Sequence, residues 1–260
     1  MDAFHFSSFG ATTIFVKEHT IHLKNIPDKA VGMRFALVTD LHIGGQVDNL
    51  LVSDVVDKVN NENVDAIFLV GDVVDAPYKV IKDRTEPMKH FKSKLGTFMV
   101  TGNHEYYYGD YQEWLDAFTN EYGFKVLLNN VTDIEGICLV GLIDISAEKN
   151  GLVNHTMDAS VVKVCDPLKP IIVLAHNPAS VPQILDVKTE RAIDLILTGH
   201  THAGQFYIMI PYVLLYLPYF YGFYSVGVAT TLFVSAGTLF QAAAFKMLGF
   251  AEIHIFTVTR

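Results

Sequence analysis

The chain has 260 residues, of which 50% are hydrophobic and 18% are charged. This composition excludes a disordered chain, and the length suits one large domain or two small ones with a substantial core. With 19 Lys and Arg against 28 Asp and Glu, the net charge of −9 excludes a general nucleic-acid binder, which requires basic surface to displace counterions.

Short apolar runs alternate along the chain with segments of helical periodicity. Strands are predicted near Thr13–Leu23 and at 34–39, 65–70, 96–101, 136–143, 170–175, 192–198, 231–236 and 252–258. Helices are predicted at 47–63, 78–94 with a break at Pro87, 111–122 and 178–187. Strands separated by helices indicate an α/β fold. Residues 124–143 and 231–258 contain few helical segments and are predicted to pair antiparallel.

The cysteines and the N-terminus bear on the location of the protein. Cys138 and Cys165 lie in apolar segments, and two thiols form neither a disulfide framework nor a zinc finger. We therefore expect two reduced, buried cysteines. The first 20 residues lack a basic region followed by a long apolar stretch, so no signal peptide is predicted. Together these features predict a cytoplasmic protein.

Five of the predicted strands end in polar residues of one chemical kind. The five strand ends are Asp40-Leu41-His42, Gly71-Asp72, Gly102-Asn103-His104-Glu105, His176-Asn177 and Gly199-His200-Thr201-His202. In open α/β sheets, the carboxyl ends of the strands form the crevice in which ligands bind. We therefore expect these five loops to converge.

The converging loops contain a candidate set of metal ligands. The seven candidates are Asp40, His42, Asp72, Asn103, His176, His200 and His202. Carboxylate, amide and imidazole groups bind hard and borderline divalent metals, and the set lacks the thiolates of structural zinc sites. One ion takes about four to six ligands, some of them water, so seven candidates predict two ions that share a bridging carboxylate. Paired metals are suited to displacement at phosphorus.

The ordered motifs D-x-H, G-D, G-N-H-E, H and G-H-x-H resemble those of the calcineurin-like metallophosphoesterases. The resemblance covers the chain from about Arg34 to the C-terminus, and residues 201–205 and 235–258 are most similar to the subgroup of YkuE-type enzymes and the transmembrane protein with a metallophosphoesterase domain. It implies a single domain over residues 1–260, built as a four-layer α/β/β/α sandwich of two mixed sheets flanked by helices. It also implies two divalent ions, with Mn, Fe and Zn as candidates, and does not distinguish among them.

The resemblance also assigns roles. It implies that the first metal is held by Asp40, His42 and His202, the second by Asn103, His176 and His200, and both by Asp72. A hydroxide between the metals attacks phosphorus in this family. His104 is implied as the proton donor to the leaving oxygen, and Glu105 as the residue that orients His104.

Three further polar residues receive structural interpretations. Asp75 is interpreted as a structural or capping carboxylate. Asp144 and His155 are interpreted as structural or solvated, with a position near the substrate as the alternative. Residues 106–108 are three tyrosines that either form a wall of the pocket or pack in the core.

Residues 206–224 form a stretch of 19 residues without a charge. Pro211, Pro218 and nine aromatic side chains disfavour a membrane-spanning helix. Because the stretch follows the last ligand motif, one hypothesis is an apolar wall for a lipid-like substrate or a peripheral membrane contact. The alternatives are a dimer interface and packing under the core of the domain itself.

The function favoured by the sequence is a dimetal phosphodiesterase that acts on a small-molecule or lipid phosphoester. A phosphomonoesterase or pyrophosphatase is the alternative among enzymes, and a non-catalytic metal-binding scaffold is the alternative of another class. An intact ligand set together with His104 favours the enzyme.

Overall fold

The computed structural model describes residues 10–152, 155–246 and 250–260. Within these ranges, the strands form two mixed sheets of six strands each. The predicted α/β/β/α sandwich is thereby confirmed. The prediction of no signal peptide falls in part on residues 1–9, outside the described residues.

The first sheet has the strand order β1-β12-β2-β3-β4-β5. Its strands are β1 (Ile14–His22), β2 (Arg34–Val38), β3 (Ala66–Val70), β4 (Thr97–Val100), β5 (Lys125–Val126) and β12 (Ala251–Thr259). Strands β2 to β5 run parallel, whereas β12 is antiparallel to β2 and parallel to β1. The ends of β2, β3 and β4 therefore lie side by side.

The second sheet has the strand order β10-β11-β9-β8-β7-β6. Its strands are β6 (Asn130–Ile134), β7 (Ile137–Gly141), β8 (Ile171–Leu174), β9 (Leu195–Thr198), β10 (Gly222–Val226) and β11 (Thr230–Val234). Strands β7, β8, β9 and β11 are parallel, and the hairpin partners β6 and β10 are antiparallel to their neighbours. The ends of β8 and β9 are neighbours in this sheet.

Helices cover the outer face of each sheet. The α-helices are α1 (Asn49–Asn61), α2 (Tyr78–Thr85), α3 (Tyr111–Asp116), α4 (Val181–Leu185) and α5 (Ile210–Tyr216). Short 3-10 turns lie at Asp28–Ala30, Glu86–His90, His104–Tyr106, Glu148–Asn150, Ala159–Val164, Pro178–Ser180, His202–Gly204 and Tyr207–Met209, and a π turn lies at Ala117–Glu121. Asp48 caps the N-terminus of helix α1, and its carboxylate accepts hydrogen bonds from Leu50 N and Leu51 N.

Side chains of the central strands alternate between the core that separates the two sheets and the core beneath the helices. In β2, Phe35 and Leu37 enter the core between the sheets, whereas Ala36 and Val38 face the helices. A strand buried on both faces is apolar throughout, which explains the continuous apolar runs in the sequence. The two sheets are thereby held face to face, with their polar strand ends at one edge.

Most predicted elements are found, with differences at their edges. The predicted helix 78–94 ends as an α-helix at Thr85 and continues as a 3-10 turn that contains Pro87, because proline is compatible with the first turn of a helix. The antiparallel pairing predicted in 124–143 is confirmed in β6 and β7. Residues 231–258 pair in both directions, since β11 is also parallel to β9, and β12 to β1.

The expectation of reduced cysteines is wrong. Cys138 and Cys165 form a disulfide between β7 and the turn that precedes β8. Both residues are buried beside the outer face of the second sheet. Disulfides persist mainly in oxidising compartments, so the argument for a cytoplasmic protein from reduced thiols no longer holds.

Residues 206–224 fold as the turn Tyr207–Met209, helix α5 and the start of β10. Packing under the domain core is wrong for α5, where only Val213 is buried. Among the described residues, no helix is long and apolar enough to cross a membrane.

Candidate metal centre

All five predicted loops meet at one edge of the sandwich. The first sheet contributes Asp40 and His42 after β2, Asp72 after β3, and Asn103 and His104 after β4. The second sheet contributes His176 after β8, and His200 and His202 after β9. His200 is half-buried, and the other seven side chains are buried.

Two groups of side chains in this cluster have the composition of metal sites. Asp40, His42 and His202 form one group, and Asp72, His176 and His200 form the other, with the ligand atoms of each group within 4.8 Å of one another. In the first group, Nε2 of His42 lies 2.9 Å from Nε2 of His202. In the second, Nε2 of His176 lies 3.1 Å from Oδ2 of Asp72.

Asp72 lies between the two groups. Its Oδ2 atom is 3.1 Å from His176 Nε2 and 3.8 Å from His42 Nε2. Its Oδ1 atom accepts a hydrogen bond of 2.8 Å from the backbone N–H of His104, which fixes the carboxylate plane. This is the position that a shared carboxylate would occupy.

Several buried polar atoms of the cluster have no hydrogen-bond partner in the described part of the chain. They include Asp40 Oδ2 and Asn103 Oδ1. An unpaired buried polar atom costs about 1–3 kcal/mol, so such atoms are rare unless a ligand satisfies them. The donor set therefore fits divalent ions.

Neighbouring groups orient these ligand atoms. The Nδ1 atom of His176 lies 2.8 Å from the carbonyl oxygen of Val70, and Nδ1 of His42 lies 2.8 Å from Oδ1 of Asp75. When Nδ1 donates its proton to these acceptors, Nε2 is left with a free lone pair, which is the form of histidine that binds metals. Asn103 donates its amide N–H to the Tyr107 hydroxyl at 2.8 Å, which leaves its carbonyl oxygen free.

The backbone of the loops is strained at the candidate ligands. The φ angles are 54° at Asp40, 46° at His42, 52° at Asp72, 70° at His200 and 50° at His202. For a residue other than glycine, this left-handed backbone conformation costs about 1–3 kcal/mol. Residues with this conformation cluster at functional sites. Close packing adds to this constraint, because a Cβ atom at Gly102 would lie 2.5 Å from the Asp72 nitrogen.

The structure corrects the prediction for Glu105. Its carboxylate accepts hydrogen bonds from the backbone N–H groups of Asp72 at 3.0 Å, Val73 at 2.6 Å and Gly102 at 2.6 Å. The turn His104–Tyr106 directs this side chain back toward the loop after β3. Burial and the charge of Asp72 raise the pKa of Glu105 to about 7, against the effect of the N–H donors. Glu105 therefore holds the loops in place.

Asp75 occupies the position that was predicted for Glu105. Its Oδ1 atom lies 2.6 Å from Nδ1 of His104 and 2.8 Å from Nδ1 of His42. Burial opposes ionisation, but the two histidines lower the pKa of Asp75 to about 2. Burial likewise opposes protonation of His104, but Asp75 and Asp72 raise the pKa of His104. The structural interpretation of Asp75 is thus corrected, because this carboxylate joins a candidate ligand to the candidate acid.

Gln241 is a residue of the site that the sequence did not indicate. Its amide Nε2 lies 2.9 Å from Nε2 of His104. Gln205 fixes it, because the Gln241 backbone N–H donates to Gln205 Oε1 at 2.9 Å and Gln205 Nε2 donates to the Gln241 carbonyl at 2.9 Å. The sequence did not indicate Gln241 because a polar residue in an irregular loop neither follows a helical or strand period nor stands at the end of a strand.

A buried lysine anchors the loop that contains Gln241. The Lys246 ammonium shares its three N–H groups among four nearby carbonyl oxygens, those of Ala236 at 2.6 Å, Gly237 at 2.9 Å, Leu239 at 3.1 Å and Phe250 at 3.1 Å. These acceptors satisfy a charge that is otherwise costly to bury. Lys246 thereby connects residues 236–239, which precede Gln241, to Phe250.

The remaining polar residues have mixed positions. Tyr106 is buried, and its hydroxyl forms a hydrogen bond with the Thr101 hydroxyl, whereas Tyr107 and Tyr108 are exposed beside the cluster. His155 contacts Tyr111 at 2.8 Å, in agreement with its structural interpretation. Asp144 is buried and accepts a hydrogen bond from Ser146 N at 2.8 Å.

A cavity of about 280 Å³ adjoins the cluster on the side of the second sheet. Its lining combines His200, His202 and Gln241 with apolar side chains, among them Phe206, Met209, Tyr212, Val213 and Leu217. The cavity thus joins a polar floor to an apolar wall and contains no Asp, Glu, Lys or Arg among these lining residues.

The motifs and the fold together match a known family. A family model described as calcineurin-like phosphoesterase matches residues 33–204, which include all five loops. The chain belongs to the calcineurin-like phosphoesterase family. The resemblance stated from the motifs is thereby confirmed.

Three relatives illustrate the similarity of this chain to known proteins. An uncharacterised metallophosphoesterase of Helicobacter pylori is 35% identical over 238 residues, 92% of this chain and 62% of that protein. The transmembrane protein with metallophosphoesterase domain of Danio rerio is 31% identical over 241 residues, 90% of this chain and 54% of that protein. The uncharacterised metallophosphoesterase YkuE of Bacillus subtilis is 26% identical over 256 residues, 93% of this chain and 84% of that protein. The chain therefore spans just over half of the Danio relative.

The fold is shared with a dimetal phosphatase of Danio rerio. That structure superposes with a TM-score of 0.50 and 11% sequence identity, and it covers 80% of this chain and 88% of that chain. At this identity the similarity concerns the fold.

Proposed function

We propose that this metallophosphoesterase is a phosphodiesterase whose seven predicted ligands hold two divalent ions. The observation that supports the proposal most is the set of unpartnered, buried ligand atoms around Asp72. Asp40, His42 and His202 would hold one ion, and Asn103, His176 and His200 the other, with Asp72 between them. When bound, two divalent ions supply Lewis-acid stabilisation to the attacking and leaving oxygens of a displacement at phosphorus.

His104 is the proposed proton donor to the leaving oxygen. Its Nδ1 atom faces Asp75, and its Nε2 atom lies 3.9 Å from Asp72 Oδ2, on the side of the centre. A proton held at Nε2 would therefore be close to an oxygen that leaves phosphorus. Asp75 would act as a positioning residue, because its carboxylate contacts Nδ1 of the imidazole ring. The amide N–H of Gln241 would donate to Nε2 of His104 once that atom has given up its proton.

The cavity lining supports a diester as the substrate in preference to a monoester. A phosphate monoester has an additional negative charge, which a basic side chain normally compensates. The lining beside the centre combines neutral polar and apolar groups. A diester would instead place its second ester group against the apolar wall.

The test is hydrolysis by the manganese-loaded protein of bis-p-nitrophenyl phosphate compared with p-nitrophenyl phosphate. We expect preferential diester cleavage that is lost after chelation and falls by about 10²–10⁴-fold in His104→Ala. His90→Ala is the matched control, because His90 is exposed and remote from the ligand loops. Preference for the monoester would support a phosphatase, and two bound ions without turnover would support a scaffold.

A further inference from the structure

Seven large apolar side chains are exposed together on the segment Tyr207–Tyr216, which we name the apolar ridge. They are Tyr207, Ile208, Met209, Tyr212, Leu214, Leu215 and Tyr216. Ile208 and Leu215 are 84% and 80% exposed. Elsewhere in the described residues, exposed large apolar side chains occur singly or in pairs. A concentrated patch of this kind indicates an interaction surface.

The ridge is anchored at both ends. Before it, the ring of Phe206 stacks on Phe245 at 5.9 Å, and after it the Thr201 hydroxyl donates to the Phe220 carbonyl at 2.6 Å. Between these anchors, Val213 is the buried residue of α5. The exposed side chains therefore project from a folded element with a defined place.

The ridge and the cavity beside the metal centre share residues. Met209 and Tyr212 are exposed on the ridge and also line the cavity, together with His200 and His202. An apolar surface therefore continues from the ridge to the ligand loops. Any partner that covers the ridge would lie at the entrance to this cavity.

We propose that the ridge inserts into the surface of a lipid bilayer and that the cavity accepts an alkyl chain of a phosphodiester lipid. The lipid substrate rests on the proposed phosphodiesterase function, whereas the insertion of the ridge into a bilayer is independent of it. A second protein chain on the ridge would cover the entrance to the cavity, but a bilayer would deliver substrate through it. Tyrosines beside aliphatic side chains match the membrane interface, where aromatic rings with polar tips concentrate.

The charge pattern specifies the kind of bilayer. Residues 206–224 contain no charged side chain, and the chain as a whole has a net charge of −9. Electrostatic attraction to anionic headgroups is therefore not expected. Insertion should depend on apolar area, bind zwitterionic vesicles and change little with salt.

The reaction on such a lipid is a hydrolysis. The oxygen of water forms a bond to phosphorus, and the bond from phosphorus to one ester oxygen breaks. That oxygen leaves as an alcohol after it receives a proton from His104. The proton lost by water is released to solvent, from which His104 regains a proton before the next turnover. The products are a phosphomonoester and an alcohol, and no oxidant or further reactant is required.

The first test is flotation of metal-free protein with phosphatidylcholine vesicles. We expect the wild type to float with the vesicles and the double variant Ile208→Asp, Leu215→Asp to bind at least about tenfold more weakly. The matched control is Val164→Asp, Leu168→Asp, because both side chains are 75% exposed and lie outside the ridge. No flotation of the wild type, or equal flotation of the ridge variant, would overturn the insertion. Sedimentation that shows a dimer lost only in the ridge variant would also overturn it, in favour of self-association.

The second test separates the lipid substrate from the phosphodiesterase activity. The manganese-loaded protein is offered p-nitrophenyl ethyl phosphate and p-nitrophenyl dodecyl phosphate, the latter as monomers. We expect kcat/KM to favour the dodecyl ester by at least about tenfold, and Met209→Glu to remove most of that preference. The ridge variant should hydrolyse the ethyl ester like the wild type. Equal rates on both esters would overturn the alkyl-chain site and leave the phosphodiesterase intact, whereas no turnover of either would contradict the proposed function.

Discussion

The two sheets contribute different chemistry to the candidate metal centre. The first sheet supplies both carboxylates, the amide and one histidine, whereas the second supplies the three histidines His176, His200 and His202. The two groups proposed to hold the ions, Asp40, His42 and His202 and Asp72, His176 and His200, each draw members from both sheets. Neither sheet has all members of either group, so both groups form only when the two sheets pack face to face.

The sheets also differ in what surrounds their ligands. On the side of the first sheet, Glu105, Asp75 and backbone N–H groups hold the ligand loops in a polar network. On the side of the second sheet, the cavity and the apolar ridge follow His202 directly. In the proposed function, the first sheet therefore positions the reacting groups and the second receives the substrate.

The largest effect is expected for Asp72→Ala. Asp72 belongs to the first sheet but contacts His176 of the second, so its loss should disturb both proposed ions. We expect turnover of bis-p-nitrophenyl phosphate to fall by about 10³-fold and the bound metal to decrease. Steady-state kinetics and metal analysis measure the two effects, with the exposed Asp83→Ala as control. Normal activity in Asp72→Ala would show that the sheets do not share this carboxylate.

Removal of the disulfide should destabilise the second sheet alone. Cys138 and Cys165 close a loop with a sequence separation of 27 and lie on the outer face, away from the ligand loops. We expect Cys138→Ser, Cys165→Ser to lower the free energy of unfolding by about 2–4 kcal/mol, with metal content and kcat of the folded protein unchanged. Denaturant unfolding with and without reductant measures this difference. A loss of metal in the variant would mean that the outer face of this sheet also supports the centre.

Variants of Asp75 and Glu105 should show that Asp75 positions the proton donor His104, whereas Glu105 supports the ligand loops. Asp75→Asn should lower kcat by about 10²-fold with little change in stability, because it removes the negative charge beside His104. Glu105→Gln should lower the free energy of unfolding by about 1–3 kcal/mol, because buried N–H groups lose acceptors. Kinetics and thermal unfolding of both variants provide the comparison. If Asp75→Asn were neutral and Glu105→Gln lost only kcat, the role first predicted for Glu105 would be restored.

The sequence predicted the elements and the loops because both have local signals. A run such as 66–70 is apolar on both faces and stops at Gly71-Asp72, and five such stops identify one edge of the sandwich. The seven side chains predicted as ligands lie together in the structure. The assignment of each to an ion remains a prediction.

The errors arose where proximity in sequence differs from proximity in space. Glu105 is adjacent to His104 in sequence, but the 3-10 turn directs it toward Asp72, and the neighbour of His104 in space is Asp75 from another loop. The cysteine pair forms because β7 and β8 are neighbours in the second sheet, and strand order cannot be read from two isolated thiols. Gln241 reaches the site through a loop fixed by Lys246, which has no regular pattern.

The most direct test of the two-metal centre is a titration of metal-free protein with manganese, with bound metal and hydrolysis of bis-p-nitrophenyl phosphate recorded on the same samples. We predict two ions per chain, with activity that appears only as the second ion binds. His202→Ala, which removes a second-sheet ligand candidate, should retain one ion and lose activity, whereas His90→Ala should behave like the wild type. One ion per chain at full activity, or full activity without bound metal, would contradict a two-metal centre built from both sheets.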